Sequence, residues 1–227
     1  MIDIRFLKST RAFALLSLLV AAMSMSGCNI VGPAAYLIEG PPSVDPVCQL
    51  ADVPTVVFID DRNNVVNPIS LRRVISDKAS QDLMIQKVLT TTISGQDSMT
   101  IATQRERSNQ IMSMEDIGKA VGAKQMIYVQ MVQFQDVLAD YTPRPSAACW
   151  VRVIDIENRK KIFPSDDSGQ VAHLLQVTTR EVDPEVYRTR AGREQVFEGL
   201  AQTTGEEIGK LFYKHERRQL GANLNPR

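Results

Sequence analysis

The chain has 227 residues, 44% hydrophobic and 23% charged, a composition that can support a buried core. Its 26 basic and 26 acidic side chains balance, so no net positive field steers it toward nucleic acid. Removing residues 1–27, which hold Arg5, Lys8, Arg11 and Asp3, leaves 23 basic and 25 acidic groups, a balance of −2.

The segment MIDIRFLKSTR carries three basic residues and one acidic. Residues 12–23 follow as an apolar run, long enough for a signal-peptide core and short of the roughly 20 residues that span a bilayer. Met25-Ser26-Gly27-Cys28 then resembles the bacterial lipobox, in which small residues precede a cysteine that receives a diacylglycerol thioether. Ser26 and Gly27 fit that pattern, and Met25 stands where Leu is usual. The resemblance implies a signal peptide over residues 1–27, lipidation at Cys28, and anchoring by membrane lipid through two or three acyl chains. Asn29 follows the cysteine, where Asp would signal inner-membrane retention. The resemblance therefore implies the outer membrane, facing the periplasm. No later apolar run matches the first, so the mature protein is read as tethered and not spanning.

Residues 28–52 read as a lipidated tether rich in turn-formers: Gly32-Pro33, Gly40-Pro41-Pro42 and Asp45-Pro46. Tyr36, Leu37 and Ile38 are a candidate docking point within it. Residues 53–220 read as a single α+β periplasmic domain and 221–227 as a flexible tail.

Within the domain, residues 53–59 are a continuous β-branched run, the pattern of a strand buried on both faces. Asn67-Pro68 predicts a helix start, and Leu71, Ile75, Ala79, Leu83, Met84 and Val88 continue it at helical spacing toward Ile93, with Gly95 as its end. Met99-Thr100-Ile101-Ala102 is expected as a short strand. Ser113, with Glu115 and Asp116 behind it, predicts a capped short helix that turns inward at Ile117 and Val121 and ends at Gly122. Strands follow over residues 125–134 and 147–156, the latter with Trp150, Arg152 and Ile154 on one face. A turn at residues 157–160 leads into residues 161–163. A long strand is expected over 169–182, and an amphipathic helix over 193–217 with Val196, Phe197, Leu200, Ile208, Leu211 and Phe212 on its stripe. The expected fold is α+β: a mixed sheet of five to six strands with two to three helices packed on it.

The stretch of residues 116–129, with Gly122-Ala123 between helix and strand, resembles a segment of several periplasmic lipoprotein domains. These are the curli-secretion channel lipoprotein, the penicillin-binding-protein activator lipoproteins and the amino-terminal domain of TolB. Residues 151–164 resemble the hairpin that follows there, with Asn158-Arg159 where a turn glycine is usual. The resemblance implies a largely non-enzymatic envelope protein, in a group that contains channel subunits and enzyme activators.

Chemistry-bearing motifs are sparse. His173 and His215 show no ligand spacing with each other or with cysteine, so no metal site is expected. His215 reads as a helix C-terminal cation beside Lys210, Lys214, Arg217 and Arg218. Asp60-Asp61 at a strand end reads as loop capping, and Asp166-Asp167 as a solvated turn. No phosphate loop and no Gly-x-Ser-x-Gly elbow occurs, so neither a catalytic residue nor a cofactor is expected. Cys48 and Cys149 remain after lipidation, and an oxidising compartment allows a disulfide between them, the alternative being two separate buried thiols. The expected function is a non-catalytic binding or assembly module at the outer membrane. Its expected partners are an envelope protein and further copies of itself, and not nucleic acid. The alternatives are a subunit of a secretion or transport complex and a cell-wall hydrolase.

Overall fold

The computed structural model describes residues 43–216 apart from 109, 140 and 141. The expected signal peptide, Cys28, the tether through residue 42 (Tyr36, Leu37 and Ile38 included) and the tail at 221–227 lie outside the described residues. Asp45–His215 forms one compact unit; Ser43, Val44 and Glu216 belong to another, of which nothing else is described.

Strand β1 (Thr55–Asp60) is buried along its whole length, as its unbroken run of Val56, Val57, Phe58 and Ile59 requires. Both its neighbours, β2 (Thr92–Ile93) and β3 (Gln125–Ala139), run parallel to it. β3 returns antiparallel as β4 (Thr142–Asp155). The other edge of β4 carries β5 (Lys160–Phe163) near residues 153–155 and β6 (His173–Thr178) along residues 146–151, both antiparallel. The order β2-β1-β3-β4-β5, with β6 beside β4, is a mixed six-stranded sheet.

Helices cover the sheet unequally. On one face, α1 (Ser70–Ile85) and α5 (Arg190–Lys210) bury Ile75, Ala79, Leu83, Leu200, Ala201 and Ile208 against Val57, Ile59, Val129, Cys149, Val151 and Val153. On the other, α2 (Gly95–Arg107) and α3 (Met114–Ala120) bring Met99, Ala102 and Ile117 onto Val56, Phe58, Met126, Tyr128 and Ile154. A one-turn helix, α4 (Pro184–Arg188), precedes α5. The α+β class and mixed sheet are as expected, with five helices among the described residues, two of them short.

α1 and α5 approach closely at two glycines. A Cβ on Gly205 would lie 2.6 Å from the Ile75 carbonyl oxygen, and one on Gly209 would lie 2.5 Å from Asp82 Oδ2. Tyr213 just beyond α5 donates its hydroxyl hydrogen to the same carboxylate, at 2.7 Å.

Several elements differ from expectation. α1 begins at Ser70 with Ile69 as an uncapped N-terminal residue, and ends at Ile85; Lys87 then turns left-handed at φ 57°. Residues 92–93 are therefore strand and not helix. Met99 to Ala102 lies inside α2, because Ser94 caps that helix by accepting from Asp97 N–H, and Gly95 opens a helix instead of closing one. The β3–β4 hairpin extends past residues 134 and 147, where Pro143 and Pro145 argue against strand. Their carbonyls accept from Val182 and Thr179 N–H, so these prolines sit in register without needing a donor on that edge. The expected strand over 169–182 shrinks to His173–Thr178, and the last helix ends at Lys210.

Candidate functional site

Alternation along β4 sets the site. Cys149, Val151 and Val153 point into the core under α1 and α5, so Trp150 and Arg152 point to the opposite face. There α2 and α3 cover β1 and the start of β3, and the sheet beyond them is open. Register lines up one row across four strands: Asp60 on β1 pairs with Gln130, Gln130 with Trp150, and Trp150 with Leu174 on β6. The adjacent row is Phe58, Tyr128 and Arg152. Trp150 is 37% exposed and Leu174 41%, unusual for large apolar side chains in the middle of a sheet.

The segment leading into β6 walls this row on one side and forms an open pocket of about 610 Å³. It is lined by Gln130, Trp150, Arg152, Gln170, Val171, Ala172, His173 and Leu174. Lys161 Nζ fixes the wall, donating to the Gln170 carbonyl at 3.1 Å and pairing with Asp166 at 3.2 Å. Gly169, left-handed at φ 66°, closes the short 3-10 turn Asp166–Ser168 ahead of it. His173 stands against Phe163 with ring centroids 5.4 Å apart, and burial lowers its pKa from the ordinary 6.5.

One charged network borders the pocket. Tyr128 donates its phenolic hydrogen to Asp60 Oδ2, which also pairs with Arg62 at 3.0 Å. Burial first, and then that hydrogen bond, raises the Tyr128 pKa well above its ordinary value. The Arg152 guanidinium lies over the Tyr128 ring, 5.0 Å from its centroid. Arg152 Nε is buried without a hydrogen-bond partner among the described residues, and no carboxylate there pairs with this side chain. The network thus holds two guanidinium groups and one carboxylate.

The residues singled out from sequence fall in different places. Asp60 joins the site. Asp61 does not: its oxygens accept Val65 N–H at 2.8 Å and Val66 N–H at 2.9 Å and pair with Arg72, which makes it the loop cap expected. Asp155 caps the β4–β5 turn, its carboxyl held below the ordinary range chiefly by the Asn158 N–H. His215 lies past the helix, in the two-residue strand His215–Glu216, with Nδ1 3.1 Å from the Tyr213 carbonyl oxygen; it is not the helix-end cation expected. Cys149 sits in the core and Cys48 packs against the same cluster. Burial raises both thiols, Cys149 to about 12. Among the described residues no cluster of three His, Cys, Asp or Glu could hold a metal ion, and no helix is long and apolar enough to cross a membrane. Gln130, Leu174 and the wall at 170–172 were not singled out from sequence. The available signal was the lone tryptophan, alternating outward next to an arginine on a strand whose other face is core.

No protein-family model matches the sequence, and no curated protein does. Among solved structures, the chain is similar to the hypothetical protein CT253 from Chlamydia trachomatis, at 16% identity over 69% of this chain and 98% of that one, TM-score 0.39. It is also similar to the PelC dodecamer from Paraburkholderia phytofirmans, at 12% identity over 74% of this chain and 94% of that one, TM-score 0.36. A third is lipoprotein GNA1162 from Neisseria meningitidis, at 8% identity over 63% of this chain and 97% of that one, TM-score 0.37. Likeness at these values carries no functional argument, and the resemblance to named lipoprotein families rests on residues 116–129 and 151–164 alone.

Proposed function

We propose that the protein is a non-catalytic lipoprotein that binds an envelope partner through the open half of its sheet. In this reading residues 1–27 are removed and acylated Cys28 anchors the chain to the outer membrane. Residues 28–52 tether the domain in the periplasm, 53–220 act as a single binding unit, and the chain assembles with further copies of itself. The observation that carries the binding role is the uncovered row Gln130, Trp150 and Leu174. Leaving such side chains in water forgoes about 25 cal/mol for each Å² of apolar surface that a partner would bury.

The test is complementation of a deletion strain with variants confirmed as folded. Trp150→Glu and Leu174→Glu put charge on the open row and are expected to abolish function. Asp155→Ala and His215→Ala lie away from it and are expected to complement. Full complementation by both glutamate variants contradicts the proposal, as does a folded Asp155→Ala protein with no activity.

A further inference from the structure

The pocket on the open face has a chemical character that narrows its ligand. Its volume of about 610 Å³ is that of a small-molecule site. Trp150, Val171, Ala172 and Leu174 give it an apolar floor and wall, with Val171 74% exposed. At one end stands Arg152, whose guanidinium lies over the Tyr128 ring and has no carboxylate partner among the described residues. Tyr128 is itself held by Asp60. Gln130 adds a neutral amide on the neighbouring strand, directly opposite Trp150.

We infer that this pocket binds an organic monocarboxylate with an apolar body, the carboxylate on Arg152 and Gln130 and the body over Trp150 and Leu174. The inference rests on the binding-module reading and names the ligand class of its open face. Charge narrows the head group to a monoanion. Arg62, Arg152 and Asp60 leave one positive charge uncompensated, which a monoanion neutralises and a phosphomonoester dianion overshoots. A cationic ligand meets Arg152 unfavourably, and a wholly apolar one leaves its charge without a partner. A planar carboxylate accepts from the guanidinium fork in the geometry that arginine presents.

The chain contains one tryptophan, so fluorescence excited selectively at tryptophan reports on Trp150 alone. Detergent-solubilised mature protein is titrated with octanoate and with 3-phenylpropionate, each beside its primary amide. Saturable change with at least one carboxylate, and binding at least about tenfold weaker for its amide, is the expected result. The tighter of the two acids tells an acyl body from an aromatic one. Arg152→Met is expected to erase the preference for acid over amide, and Arg152→Lys, which keeps the charge, to retain it. Failure of both acids to saturate, equal binding of acid and amide, or an unchanged preference in Arg152→Met overturns the inference. If that happens while Trp150→Glu still abolishes complementation, the ligand class falls and the binding role of the open face stands.

Discussion

The Asp61 carboxylate, wholly buried, pairs with the Arg72 guanidinium at 2.9 Å and ties the loop after β1 to the first turn of α1. Two backbone N–H groups converge on the same carboxylate. Removing it strands a nearly buried cation and two donors at once. Asp61→Ala is expected to lower unfolding stability by about 3–5 kcal/mol, measured by chemical denaturation, and Asp61→Asn by less. A loss under about 1 kcal/mol for the alanine variant contradicts the structural role.

Adjacent aspartates thus have separate work, and the sequence does not separate them. Asp60 and Asp61 differ by one position on a strand end, which sends one to the open face and the other into the loop beneath α1. The buried strand at residues 55–60 and the caps at Ser113 and Gly122 were legible because each depends on local chemistry. The helix at residues 95–107 was not, since its three apolar residues, Met99, Ile101 and Ala102, give no period to read and Gly95 reads as a helix end. The pocket was least legible. It requires knowing that β6 pairs with β4 at Trp150 and that α2 and α3 stop short of that row, and both facts are tertiary.

Gly205 faces the Ile75 carbonyl too closely for any side chain. Gly205→Val is expected to push α5 away from α1 and cost about 1–3 kcal/mol through overpacking. Gly199→Ala, where nothing lies within 4 Å, is expected to be neutral or slightly stabilising. Thermal unfolding of the two variants checks the contrast, and an equal effect of both contradicts it.

We propose a Cys48–Cys149 disulfide for protein folded in an oxidising compartment. The buried Cys149 thiol, with its pKa raised to about 12, is a poor nucleophile once folding is complete. The bridge therefore has to form before β4 is covered. Mass spectrometry of unreduced mature protein is expected to find neither thiol alkylatable; finding both alkylatable after denaturation rejects the bridge. In protein folded under reductant, Cys48 is expected to react first and Cys149 only on unfolding.

Anchoring depends on Cys28. Metabolic labelling with a palmitate analogue is expected to mark the wild-type protein and to leave Cys28→Ser unmarked and uncut. Equal labelling of both proteins contradicts the lipoprotein assignment.

Binding through the open sheet face is tested most directly by placing a photocrosslinking amino acid at Leu174 in growing cells. Gln202, exposed on α5 across the sheet, serves as the control position. The expected result is a discrete crosslinked product from position 174 and none from position 202. Absence of a product at 174, or the same product from both positions, contradicts it.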